Sequence, residues 1–137
     1  GPERESLERL ADSLVGPVRA VLPGYRRDVT ALLSLCDAVL FPSQLTEVLP
    51  MTLIEASAVG VPIVCSDIPG NREVVQDGAN GWLAGPSDES YAEALARVLG
   101  DASLAQRMAR AGRQAALEKF DESVVVPKII SLYSTLV

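Results

Sequence analysis

Two glutamates flank the start of a predicted helix: Glu47 comes just before it and Glu55 lies within it. Pro50 suits the first helical position, because a missing amide hydrogen costs nothing there. The backbone amides that then have no partner inside the helix are those of Met51, Thr52 and Leu53. Unpartnered amides at a helix N-terminus can hold an anion such as phosphate.

The two carboxylates extend this chemistry on either side of the anion. Glu47 would lie beside the group joined to the anion, and Glu55, more than one turn further on, could accept hydrogen bonds from a vicinal diol. A phosphate between two hydroxyl-rich groups describes a sugar nucleotide. The alternative is a solvated pair, because 18 acidic residues among 137 meet this spacing easily by chance. Small and apolar neighbours of Glu55 favour a helix packed on both sides, where glutamate seldom lies without a partner.

Short apolar runs alternate with helical periodicity along the chain, which predicts βαβ units and a parallel sheet. We expect about four strands, at 18–22, 38–41, 62–66 and 81–84. Helices are expected at 3–14, 28–35, 50–59 and 72–76, followed by 89–99, 102–119 and 122–136. Asp88 and Asp101 are the expected N-caps of the helices that follow them. The terminal helix is expected to pack back on the sheet, so the fold class is α/β with a helical C-terminal tail.

Composition and charge favour some classes of fold and function and argue against others. Hydrophobic residues make up 48% of the chain and aromatic residues 4%, which suits a parallel sheet covered by helices. A net charge of −6 argues against nucleic acid or an anionic membrane as the main partner. No segment has the apolar length of a membrane span and no signal peptide is evident, so cytoplasmic is the default location. Cys36 and Cys65 are expected to be buried, reduced thiols, and without histidine a structural zinc site is implausible.

The glutamate pair resembles a motif of the retaining GT-B glycosyltransferases, specifically the group 1 family. The donor-binding lobe of that family carries a glutamate, seven residues and a second glutamate, which is the spacing of Glu47 and Glu55. The other segments that fit the family are 38–43 (AVLFPS), 60–64 (GVPIV), 69–75 (PGNREVV), 77–81 (DGANG) and the closing helix 120–133. The resemblance implies that residues 1–137 form one truncated nucleotide-sugar-binding lobe with a partial Rossmann-like sheet.

The resemblance also implies roles for single residues. Glu47 is the expected catalytic residue and contacts hydroxyls of the donor sugar, while Glu55 holds the ribose. The expected donor-binding residues are Ser43, Val48, Leu49, Pro50, Met51, Thr52 and Glu55. Val48 stands where the family commonly has glycine, and a β-branched residue there would crowd a phosphate.

Four further residues leave two interpretations open. Arg72 could reach the phosphate or the sugar, although an arginine at the start of a short helix is more often part of a surface ion pair. Pro23, Gly24 and Tyr25 could border the nucleobase or form a plain turn.

The expected partners follow from the same resemblance. They are a nucleotide diphosphate sugar as donor and an acceptor lobe that this chain does not contain, with no metal or other cofactor. The family's basic pair for the diphosphate has no counterpart here, so we expect the isolated chain to be inactive. The alternative, from a different class, is a noncatalytic α/β binding domain that self-associates through an exposed sheet edge.

Overall fold

Three parallel strands form the sheet of the protein. The computed structural model describes residues 2–44 and 47–136. Within them the strands are β1 (Val39–Phe41), β2 (Ile63–Ser66) and β3 (Trp82–Ala84), in the spatial order β1-β2-β3. Because all three run parallel, their carboxyl ends meet at one edge of the sheet. The predicted α/β class is confirmed.

The prediction of a strand at residues 18–22 was wrong. This segment joins no ladder, and the side chains of Val18 and Val21 are 64% and 69% exposed. Valine favours a strand only where one face packs against neighbours, and this segment has no such face. The described sheet therefore has three strands, where about four were expected.

The described residues also form seven helices. They are α1 (Arg4–Asp12), α2 (Val29–Leu33), α3 (Met51–Val59), α4 (Pro69–Arg72), α5 (Asp88–Gly100), α6 (Ala102–Lys119) and α7 (Glu122–Ser134). Asp101 caps α6 as predicted, through its carboxylate and the amides of Ser103 and Leu104. Asp88 does not cap α5: Ser87 does, and its hydroxyl accepts from the Ser90 amide. α4 begins at Pro69, earlier than expected, because proline suits the first turn of a helix.

The central strand β2 is buried on both faces. Ile63 and Cys65 pack in one apolar cluster with Leu53 of α3, whereas Val64 packs in a second cluster with Val98 of α5. This alternation follows from the two-residue period of a strand. The sheet is therefore covered by α3 on one face and by α5 on the other, and α6 packs against both of these helices.

Helix α3 is fixed at both of its flanks. Its buried residues, Leu53, Ala56 and Ser57, lie on one face, and it ends at Gly60, which has a φ of 85° that disfavours any side chain. Arg113 of α6 donates to the Ala58 carbonyl at 3.0 Å. The start of α3, where the chemistry was predicted, is thus carried on a helix anchored by the core.

Two further expectations were wrong. α7 lies against α6 and buries none of its own described residues, so it does not pack back on the sheet. Cys36 is exposed, because the short helix α2 ends before it, and only Cys65 is a buried thiol. In the described part of the chain no helix combines the length and the apolar character that crossing a membrane requires.

Candidate donor-binding site

Glu47 lies in the loop that leaves the carboxyl end of β1. It is half-buried, and the Ser43 hydroxyl donates to its Oε1 at 3.4 Å. Leu45 and Thr46, within the same predicted loop, lie outside the described residues. The structure therefore brings two of the predicted site residues, Ser43 and Glu47, into contact.

The end of strand β2 holds this loop. The Ser66 hydroxyl donates to the Ser43 carbonyl at 2.7 Å. The side-chain amide of Asn71, which is fully buried, donates to the Ser66 carbonyl at 2.8 Å and to the Ser66 hydroxyl at 3.1 Å. The Oδ1 atom of Asn71 is buried and has no hydrogen-bond partner among the described residues. A chain of polar contacts thus runs from α4 through β2 to the loop that carries Glu47.

Gly70 of α4 packs directly on the backbone of Glu47. A β-carbon placed on Gly70 would lie 2.0 Å from the Glu47 carbonyl oxygen and 2.5 Å from its carbonyl carbon. β-Carbons in proteins essentially never come closer than 3.0 Å to a heavy atom outside their own residue and its chain neighbours. Only glycine therefore allows α4 and the Glu47 loop to lie this close together.

The start of α3 differs in detail from the prediction. Pro50 is the N-cap, with φ −76° and ψ 107°, and the helix begins at Met51. The Leu53 amide is not free, since it donates to the Pro50 carbonyl at 3.1 Å in a tight first turn. Among residues 2–44 and 47–136, no acceptor takes a hydrogen bond from the amides of Met51 and Thr52. Two of the three predicted donors therefore remain available to an anion.

Glu55 lies on the exposed face of α3. The expectation that this helix packs on both sides was wrong: Met51, Thr52 and Glu55 are exposed, opposite the buried face. Positions 51, 52 and 55 are neighbours on one helix surface. Among the described ion pairs and side-chain hydrogen bonds, none involves Glu55. Its carboxylate is therefore unpartnered on the same surface as the two unpartnered amides.

Val48 and Leu49 connect Glu47 to this helix. The Val48 side chain is 84% exposed and that of Leu49 is 43% exposed. Among the described residues, only glycines have a positive φ. Val48 therefore adopts its place without the strained backbone that a glycine-requiring position would impose.

Arg72 makes an ion pair with Asp67. Its Nε lies 2.6 Å from Asp67 Oδ1 and its Nη2 lies 2.9 Å from Asp67 Oδ2. The hydrogen bonds from Arg72 lower the pKa of the Asp67 carboxyl, and both side chains are largely exposed. This geometry is the surface ion pair that was one of the two interpretations of Arg72.

The residues Pro23, Gly24 and Tyr25 lie in the segment between α1 and α2. Pro23 and Gly24 line a cavity of about 490 Å³ against α1, and the Tyr25 side chain is 88% exposed. A separate cavity of about 530 Å³ opens at the carboxyl ends of all three strands, with Ser43 and Ser66 in its wall. Neither glutamate lines this second cavity.

Sequence reasoning did not assign a role to Ser66, Gly70 or Asn71. A serine that closes the buried apolar run 62–66 is the one signal that points to a polar contact at the strand end. The close approach of Gly70 depends on two segments that are far apart in sequence, and no pattern encodes it. Among the described residues, no group of three or more cysteine, aspartate or glutamate side chains could hold a metal ion.

Known proteins resemble this chain over its full length. The family model described as glycosyl transferases group 1 matches residues 1–115. An exopolysaccharide phosphotransferase of Streptomyces coelicolor is 32% identical over 100% of this chain and 15% of its own length. A phosphatidyl-myo-inositol mannosyltransferase of Mycobacterium leprae is 31% identical over 98% of this chain and 36% of its own length.

Solved structures give the same result. The Anabaena HepE protein in complex with UDP has a TM-score of 0.91 at 25% identity, over 98% of this chain and 38% of that one. The same protein has been solved with UDP-glucose, at a TM-score of 0.84. The chain therefore spans well under half the length of each of these relatives, and its sheet is that of a GT-B Rossmann-like domain.

Proposed function

The chain belongs to the glycosyl transferases of group 1, and on that premise we propose that it binds the nucleotide diphosphate sugar of a retaining glycosyltransferase. The observation that carries the proposal is the exposed surface at the start of α3. There the free amides of Met51 and Thr52 and the unpartnered Glu55 lie side by side, with Glu47 on the loop that enters the helix. One anion site with a carboxylate on each side fits a diphosphate between a ribose and a sugar.

Helix geometry supports the assignment of the ribose to Glu55. Glu55 comes four positions after Met51, which places their α-carbons about 6 Å apart along the axis. Helical side chains tilt towards the N-terminus, so the Glu55 carboxylate reaches back towards the anion. A ribose joined to a phosphate at the amides therefore lies within reach of Glu55.

Glu47 is the proposed contact to the sugar and the proposed catalytic residue. It is half-buried and accepts from the Ser43 hydroxyl, on the loop that precedes α3. The Leu49 amide joins those of Met51 and Thr52 near the diphosphate, whereas Pro50 only caps the helix. Ser43 orients the Glu47 carboxylate in addition to contacting the donor.

UDP is the first nucleotide to test, because HepE, the structural neighbour described above, was solved with UDP and with UDP-glucose. The proposal includes no metal, so EDTA should leave nucleotide binding unchanged. It places the acceptor on another lobe, consistent with the small share of each relative that this chain spans. By itself the chain should transfer no sugar, since it has no histidine and Arg72 is engaged with Asp67. A cytoplasmic location stays a prediction.

Calorimetric titration of the chain with UDP, GDP and ADP tests the proposal. We expect saturable binding of one nucleotide, weakened by Glu55→Ala. The matched control is Glu93→Ala, which removes an equally exposed glutamate from α5 and should leave the affinity unchanged. No binding of any nucleotide, or the same loss in both variants, would contradict the proposal.

A second function is favoured by the free edge of the sheet. Within the described residues no strand pairs with the outer side of β1, and Leu40 on that strand is 42% exposed. We propose that this edge supports self-association. Sedimentation equilibrium should then show a dimer that Leu40→Lys dissociates, and a monomer at all concentrations would contradict it.

A further inference from the structure

We infer that Gly70 is a positioning residue: its missing side chain fixes where Glu47 stands. The Glu47 carbonyl oxygen lies 2.0 Å from the place of a β-carbon on Gly70. Gly70 is itself buried on α4, as is Asn71, the residue that follows it. α4 and the Glu47 backbone therefore form one rigid contact, and any side chain at position 70 must push the two apart.

The Ser66–Asn71 pair holds the other side of the same contact. Asn71 follows Gly70 and is fully buried, and its side-chain amide donates to both the carbonyl and the hydroxyl of Ser66. The Ser66 hydroxyl in turn holds the Ser43 carbonyl at 2.7 Å, and Ser43 donates to Glu47. α4 thus sets both the backbone of Glu47, through Gly70, and the orientation of its carboxylate, through Ser66 and Ser43.

The size of the displacement follows from the distances. To restore the 3.0 Å that real β-carbons keep, an alanine at position 70 must move the Glu47 carbonyl from its present 2.0 Å. The required shift is about 1 Å, and a misplacement of that size can cost a reaction about 100-fold. Gly70 and Asn71 of α4 are buried whereas Glu47 is only half-buried, so we expect the Glu47 backbone to be the part that moves.

The consequence for ligands rests on the proposed function. If Glu47 contacts the sugar and the start of α3 contacts the diphosphate, Gly70 sets the preference for a sugar nucleotide over the free nucleotide diphosphate. Gly70→Ala should then weaken UDP-glucose binding by about tenfold or more, since one hydrogen bond to a charged group is lost. UDP, which makes no contact with Glu47, should lose much less.

Three glycine substitutions separate positioning from stability. Gly70→Ala is the test. Gly81→Ala is the stability control, because its β-carbon would meet Val75 Cγ1 at 2.7 Å in the core, away from Glu47. Gly100→Ala controls for the added methyl group, since nothing lies within 4 Å of its position.

The first readout is the amide NMR spectrum without ligand. We expect Gly70→Ala to shift the resonances of Ser43 and Glu47, while Gly81→Ala lowers the melting temperature and leaves them in place. Unchanged Glu47 resonances in Gly70→Ala, or equal shifts in Gly81→Ala, would overturn the inference. If Gly70→Ala does not fold, Ser66→Ala decides: it should shift Ser43 and Glu47, and Ser66→Thr, which keeps the hydroxyl, should restore them.

The second readout is the ratio of UDP-glucose to UDP affinity, and it separates this inference from the proposed function. If the unsubstituted chain binds neither ligand but Gly70→Ala moves Glu47, the proposed function fails and the positioning role stands. If the unsubstituted chain prefers UDP-glucose and Gly70→Ala keeps that preference with Glu47 unmoved, the function stands and the positioning role fails.

Discussion

Replacing Glu55 tests the proposed ribose contact, and a ligand that lacks the ribose diol provides the control. In the structure its carboxylate is exposed and has no described partner, so Glu55→Ala should change the free energy of unfolding by less than about 0.5 kcal/mol. Any loss of affinity then reflects the contact to the ligand. A hydrogen bond to a charged group contributes about 1.5–3 kcal/mol, which is a loss of about ten- to 100-fold.

The matching ligand is 2′,3′-dideoxyuridine diphosphate, which has no diol. For two unit charges about 7 Å apart, the repulsion between Glu55 and a bound diphosphate would be about 0.6 kcal/mol at the dielectric constant of water. For the dideoxy ligand, Glu55→Ala should therefore leave the affinity unchanged or raise it slightly. The same substitution should thus weaken the binding of UDP without weakening the binding of the dideoxy ligand.

Calorimetry of the four combinations measures this coupling. We expect Glu55→Ala to lose at least about tenfold with UDP and nothing with the dideoxy ligand. An equal loss with both ligands would refute the ribose contact and point to an effect on the helix instead.

Three further predictions concern single side chains. Burial raises the pKa of the Cys65 thiol to about 12, so Ellman's reagent at pH 8 should label exposed Cys36 in the native chain and Cys65 only after unfolding; equal labelling would be inconsistent with the fold. Arg72→Ala should raise the pKa of Asp67 in carboxyl NMR without changing UDP affinity. Their pair stabilises the fold at neutral pH and ceases to do so as the pH falls through the lowered Asp67 pKa, so unfolding of the two chains should differ least in acid. Val48→Gly should strengthen UDP binding by clearing the exposed side chain from the anion site, and weaker binding in calorimetry would contradict this.

The sequence predicted the elements whose signal is local. The apolar run 62–66 became the buried strand β2, and the acidic cap Asp101 starts α6, because burial on both faces and capping each depend on adjacent residues. The run 18–22 has the same local character but no neighbour to pack against. A strand forms only where a second strand pairs with it, and the residues of one segment do not show whether such a partner exists.

The placement of the candidate site residues was predicted in part, for the same reason. Glu47, Ser43 and the amides of Met51 and Thr52 follow from one continuous segment. The exposure of Glu55 was missed because α3 is apolar on nearly every side, so its pattern does not reveal which face is buried. The contact of Gly70 with Glu47 and the hydrogen bond from Ser66 to Ser43 each join residues 23 positions apart, and only the three-dimensional structure shows them.

Amide NMR of the chain titrated with UDP tests the central claim most directly. The account predicts saturable shifts concentrated in residues 43–55, with Met51 and Thr52 among the largest, and their loss in Glu55→Ala. Shifts centred on residues 23–25 or on the cavity at the strand ends, or none at all from a well-dispersed spectrum, would contradict it.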